Sequence, residues 1–238
     1  MKGGRALNIV SSEWSNRHKE LNHVIRKTDN FNSTIELILD LHKELHTSLV
    51  SNLKEQNLID ELLGDLEHKE AAIMPTSKDE TIAWAIWHLA RIEDLTMNIL
   101  LQSDVQIFDE SWQVRIQTPI SDTGNAMTDD EIMKFSKQIC MEELFKYRDA
   151  VGIKSREIIK RLKPQDMKRK ITQADIDRLL QAGGVTNHPD SIWLLDFWGK
   201  KDVAGIILMP LTRHQTLHLN DCYKWKIHIR TKKKCYAE

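Results

Sequence analysis

Residues 212 to 221 read TRHQTLHLND and place His214 and His218 four residues apart. On a helix that spacing puts both imidazoles on one face, about one turn apart. Far upstream, in TIAWAIWHLARIEDL, His88 shares a helical face with Trp84, Arg91 and Leu95. Two imidazoles from one helix and a third from a facing helix can converge on a divalent cation, with bonds of about 2.0–2.1 Å and coordination positions left open. Three neutral nitrogens beside an open position suit catalysis better than a closed structural site. The bland reading stands beside this one: the chain has ten histidines, and a second pair at the same spacing, His42 and His46, occurs in LHKELH. A histidine on a helix is commonly a hydrogen-bonded core or surface residue.

Neighbouring residues divide in the same way. Asp221 has nearly the helical azimuth of the histidine pair, so it can orient a ligand imidazole or accept a proton, or it is a surface aspartate. Arg91 and Arg213 lie close in sequence to ligand candidates and could steer an anionic substrate, with interhelical ion pairing as the default. Trp84 and His46 are the candidates for lining a cofactor pocket. If the first two helices are antiparallel, His42 and His46 lie level with His88 at 1.5 Å rise per residue. Either then lines the pocket or adds a fourth nitrogen, unless both are simply packed. Cys222 is turned about 80° from His214 and reads as a small buried residue.

Helices must carry these groups. Ser33 with Glu36, Ser77 with Glu80 and Thr128 with Glu131 have the spacing of capping boxes, which satisfy two orphaned first-turn amides at once. Apolar residues at spacings of three and four then predict helices over 33–53 and 77–101, and a third from 128 to about Pro164 with Gly152 as its weak point. A fourth begins at Asp202 and runs to about 226, with a kink at Pro210 just before the histidine pair. Leu7, Val10, Trp14, Leu21 and Ile25 sketch a helical arm over 5–28. TQADIDRLLQAGG reads as a short helix stopped by Gly183 and Gly184. HPDSIWLLDFWGKK reads as a connector whose Trp193, Phe197 and Trp198 plug the end of a core.

These elements make an all-α chain: a four-helix bundle with long crossover connections and an extra N-terminal helical arm, whose interior can house a metal or ligand site. The expected division is an arm over 1–30, a bundle over 31–230 and a basic tail over 231–238. With 34 basic and 35 acidic side chains, no long-range attraction to nucleic acid is expected. No apolar run of membrane-spanning length and no secretory leader are evident, and Cys140, Cys222 and Cys235 are too few and too scattered for a disulfide framework. A cytoplasmic protein with no membrane or nucleic-acid partner is the expectation, and the apolar stripe of the arm would serve a homodimer as well as internal packing.

The segment around His88, followed far downstream by FWGKKDVAGIILMPLTRHQTLHLND, resembles the DinB-like (YfiT-type) superfamily of metal-binding four-helix bundles, which is unrelated to the polymerase sharing that name. The resemblance spans roughly residues 33–228. It implies that His88, His214 and His218 hold a divalent metal and that the small-molecule substrate is handled by a metal-dependent enzyme; imidazole ligands suit zinc or nickel without selecting between them. Similar proteins include S-transferases that use low-molecular-weight thiols and a thiol-dependent isomerase, so activation of a thiol or of water is implied, in a transferase-like or hydrolase-like reaction. The competing expectation is a non-enzymatic bundle, an interaction or stress-response module.

Overall fold

Polar side chains begin most of the helices, by accepting hydrogen bonds from first-turn amides. The computed structural model describes residues 11–231 and 234–237. Leu7 and Val10 of the expected arm, and Lys232, Lys233 and Glu238 of the expected tail, lie outside the described residues. In chain order the helices are α1 (Ser12–Val24), α2 (Phe31–Lys43), α3 (Leu58–Gly64), α4 (His68–Ala71), α5 (Ile82–Asp94), α6 (Glu110–Ile116), α7 (Asp129–Gln138), α8 (Met141–Arg161), α9 (Gln173–Gln181), α10 (Pro189–Gly199), α11 (Val203–Leu208) and α12 (His214–Thr231). Among the described residues there is no strand, only two isolated bridges.

The bundle is built on α2, α5, α8 and the α11–α12 pair. α5 packs against α8 and α12, α8 also against α2, and α1 lies on α2 and α11. From α1, Trp14, Leu21 and Ile25 enter the same core as the bundle helices. Trp14 Nε1 donates to the Leu41 carbonyl at 3.1 Å, which fixes α1 to the end of α2. Every residue of α5, and of the π-helical Leu95–Leu101 that prolongs it, is buried. A broad apolar face was expected here, but neighbours surround the whole helix. The polar groups it carries must therefore find partners inside the protein.

Several boundaries depart from the sequence-based expectation. The 33–53 helix starts at Phe31 and stops at Lys43, with no side-chain cap from Ser33. The chain then turns, because Asn57 donates to the His46 carbonyl at 2.8 Å and Asp60 accepts from the Ser48 amide. Leu49 and Leu53 of the expected stripe consequently lie exposed. α5 is capped by Thr81, whose hydroxyl accepts from the Trp84 amide at 3.1 Å, not by Ser77. The Thr128–Glu131 box is present, yet the long third helix divides into α7 and α8. The break comes at extended Ile139, where the Cys140 amide donates to Ile116 at 2.7 Å instead of continuing the ladder. Gly152 interrupts nothing. HPDSIWLLDFWGKK is not a connector: His188 and Pro189 start α10 through it.

α11 and α12 follow the expectation more closely. Asp202 caps α11 by accepting from the Gly205 amide at 2.8 Å. Pro210 then sits in a π-helical turn, Met209–Arg213, that leads into α12. Proline removes one ladder donor and crowds the preceding turn, which widens the helix locally. The histidine pair starts immediately beyond it.

Candidate metal centre

His88 projects from α5, and His214 and His218 project from the first turns of α12. Their ligand atoms all lie within 4.8 Å of one another, and His88 Nε2 is 3.2 Å from His214 Nε2. The ring centroids are separated by 4.8 to 5.1 Å. The helix spacing explains the pair, and the close packing of α5 on α12 supplies the third ring.

The loop between α6 and α7 fixes His88. Four consecutive carbonyls accept from four α5 side chains: Ser121 from Arg91 Nε at 2.9 Å, Asp122 from Trp87 Nε1 at 3.0 Å, Thr123 from His88 Nδ1 at 2.8 Å, and Gly124 from Trp84 Nε1 at 3.1 Å. Because Nδ1 of His88 carries the donated proton, its Nε2 presents a lone pair to the other two rings. Gly124 has φ of 75°, and a Cβ there would stand 2.8 Å from Trp84 Nε1. That position requires glycine both for its backbone and for its closeness to the indole. Trp84 in turn stacks on His88 at 4.6 Å.

Burial keeps all three imidazoles uncharged. Desolvation, reinforced by His218, depresses His88 to about 3. His214 is held well below the ordinary imidazole value by desolvation and then by the other two rings. His218 is lowered by desolvation, with Asp221 acting in the opposite direction. Nδ1 of His214 and Nδ1 of His218 are buried without hydrogen-bond partners. Three neutral nitrogens at mutual ligand distance, one in a fixed tautomer, are a donor set that fits a divalent cation.

The triad forms one wall of a cavity of about 220 Å³. Trp84, Ile92, Trp193, Leu194, Phe197, Trp198, Met209 and Pro210 supply apolar surface, and Asn125 adds one amide. Neither Asn125 nor the Thr123 carbonyl was identified from the sequence, although SDTGN at 121–125 has the composition of a tight turn. The aromatic residues of α10 do more than plug a core: Trp198 is buried in it, while Trp193 is 48% exposed.

Other sequence candidates lie elsewhere. Arg91 is fully buried, and besides Ser121 it holds Asp94, Tyr147 and Gln106 at 2.6 to 3.1 Å. All of these partners come from the scaffold and Arg91 is absent from the cavity wall, so it takes the ion-paired reading and anchors the loop. Arg213 is exposed and absent from the cavity wall. Asp221 faces Lys224 at 3.4 Å and reaches His218 only through its field. Cys222 is buried.

His46, expected at the pocket, is not on its wall. With His42 it meets Glu93 in a separate, wholly buried group. The level reckoned from antiparallel helices fails because α2 ends before His46, and because Glu93 lies one and a half turns beyond His88.

Comparison with known families gives a match to the DinB superfamily over residues 53–220. No curated protein matches the chain. The matched segment is more than half of the sequence and contains all three histidines of the centre. The chain belongs to the DinB superfamily.

Proposed function

We propose that this DinB-superfamily protein is a metal-dependent enzyme that activates a small thiol or water against an uncharged, largely apolar substrate. One observation carries the reading: three neutral imidazoles converge at the wall of an apolar cavity that opens beside them. His88, His214 and His218 would hold the ion, with zinc or nickel the best suited to three imidazoles. When bound, the cation supplies Lewis acidity, which lowers the pKa of a thiol or water so that a nucleophile is available near neutral pH.

The chain's own residues do the rest. The Thr123 carbonyl holds the proton of His88 at Nδ1 and fixes the direction of its Nε2. Trp84 stacks against His88 and limits the rotation of the ring. Trp84 of α5 and the indole and phenyl groups of α10 give the cavity beside the histidines an apolar lining that limits water there, where electrostatic effects strengthen as water leaves. With no charged side chain in that lining, a substrate with an aromatic or aliphatic body is favoured over an anion.

Two assays test the proposal on untagged, zinc- or nickel-loaded protein. One follows conjugation of a low-molecular-weight thiol to chlorodinitrobenzene, and the other hydrolysis of a neutral nitrophenyl ester. Acceleration of either reaction that is lost in a His214→Ala/His218→Ala variant is expected. Loaded wild type that accelerates neither beyond that variant would leave a non-enzymatic bundle as the better description.

A further inference from the structure

We propose that His42, His46 and Glu93 form a second divalent-cation site, closed and separate from the first. Its ligand set is two imidazoles and one carboxylate. All three side chains are fully buried, and none lines the cavity. The two histidines also lie outside the segment that matches the family. The proposal does not depend on the enzymatic reading above.

The geometry around Glu93 carries the argument. His42 Nε2 lies 3.0 Å from Glu93 Oε1 as a hydrogen-bond partner. His46 Nε2 lies equally close, 3.0 Å from Oε2, yet it has no hydrogen-bond partner. The oxygen is near the nitrogen but off the line along which an N–H would point. A cation held at about 2.0–2.2 Å from both a nitrogen and an oxygen separates them by about 3 Å and displaces each from the other's axis. The two rings stack with centroids 4.2 Å apart and 23° between their planes, so both present an edge to the same carboxylate.

The surroundings support a built site. Gly152 of α8 stands so close to His46 that a Cβ would lie 2.6 Å from its Nδ1, so the glycine makes room for the ring. Gln215 Nε2 donates to Glu93 Oε2 at 2.8 Å and orients the carboxylate from outside. Arg148, also buried, gives its Nη2 to the Leu45 carbonyl and to Gln215 Oε1, while its Nε and Nη1 have no hydrogen-bond partner. The oxygens of Glu93 thus meet only His42, His46 and Gln215, with no lysine or arginine ion-paired to them among the described residues, and a cation among the three side chains would balance the charge of this buried carboxylate. Two imidazoles with one carboxylate suit zinc, manganese or ferrous iron. With no opening to solvent, the ion would tie the end of α2 and the turn after it to the C-terminal end of α5 instead of meeting a substrate.

Full-length, untagged protein refolded in zinc tests the site. In a His88→Ala/His214→Ala/His218→Ala variant only the second site remains. With folding checked by circular dichroism, it should retain one zinc per chain by mass spectrometry, and adding Glu93→Gln should abolish that zinc. Glu93→Gln alone keeps the size of the side chain and should lower the zinc of the wild type by one equivalent, which serves if the triple variant does not fold. A folded triple variant without zinc, or wild type and Glu93→Gln protein with equal zinc, would overturn the proposal and leave an ion-free His–Glu–His cluster.

Discussion

Thr123 meets His88 through its carbonyl oxygen, and that oxygen decides which nitrogen of His88 is free to bind. Gly124 beside it makes the approach possible, and its substitution is a direct test. Gly124→Ala combines a left-handed backbone with a contact to Trp84 Nε1 of 2.8 Å, and should cost about 1–3 kcal/mol in urea unfolding. An unchanged midpoint would mean that the loop yields freely. Protonation gives a second test at this scale, because burial depresses both His46 and His88 to about 3. In the metal-free protein the unfolded chain takes up protons below about pH 6.5 while the folded one does not. Stability is thus complete above that pH and declines as pH falls towards 3, by roughly 1 kcal/mol per unit for each ring. Urea unfolding of chelator-treated protein should show a lower midpoint at pH 5.5 than at pH 7.5. A flat profile would mean that these rings accept protons in the folded state.

Helix α8 shows how a local preference is overruled by packing. Taken alone, Gly152→Ala should stabilise a helix by about 0.5–1 kcal/mol. Here the new Cβ would strike the fully buried His46, and overpacking of this kind costs about 1–3 kcal/mol. Net destabilisation in thermal or urea unfolding is the expected result, and net stabilisation would show that His46 moves aside. At the start of α11, Asp202→Ala removes the cap and should cost about 1 kcal/mol, with the Arg26 ion pair adding little because it is partly exposed. These elements also show what the sequence could disclose. The Asp202 cap, the Pro210 distortion and the Thr128 box were legible because each is a local interaction between residues close in the chain. The end of α2 and the break at Ile139 were not, since Asn57, Asp60 and Ile116 act on them from other elements.

Over the whole molecule, the all-helical class and the meeting of His88 with His214 and His218 could be expected from periodicity, spacing and family resemblance. Glu93 and Asn125 could not, because no local pattern marks a glutamate on a helix buried on all sides or an asparagine in a turn. Which groups Arg91 holds was not legible for the same reason: its partners come from the loop, α8 and its own helix, so its charge is spent inside the protein. No helix among the described residues is long and apolar enough to cross a membrane. The proposed chemistry depends most on the three imidazoles acting as one ligand set, and metal analysis of untagged wild type beside the His214→Ala/His218→Ala variant tests this most directly. The folded variant should hold one equivalent of zinc or nickel less than the wild type; equal metal content in the two proteins would contradict a shared ligand set.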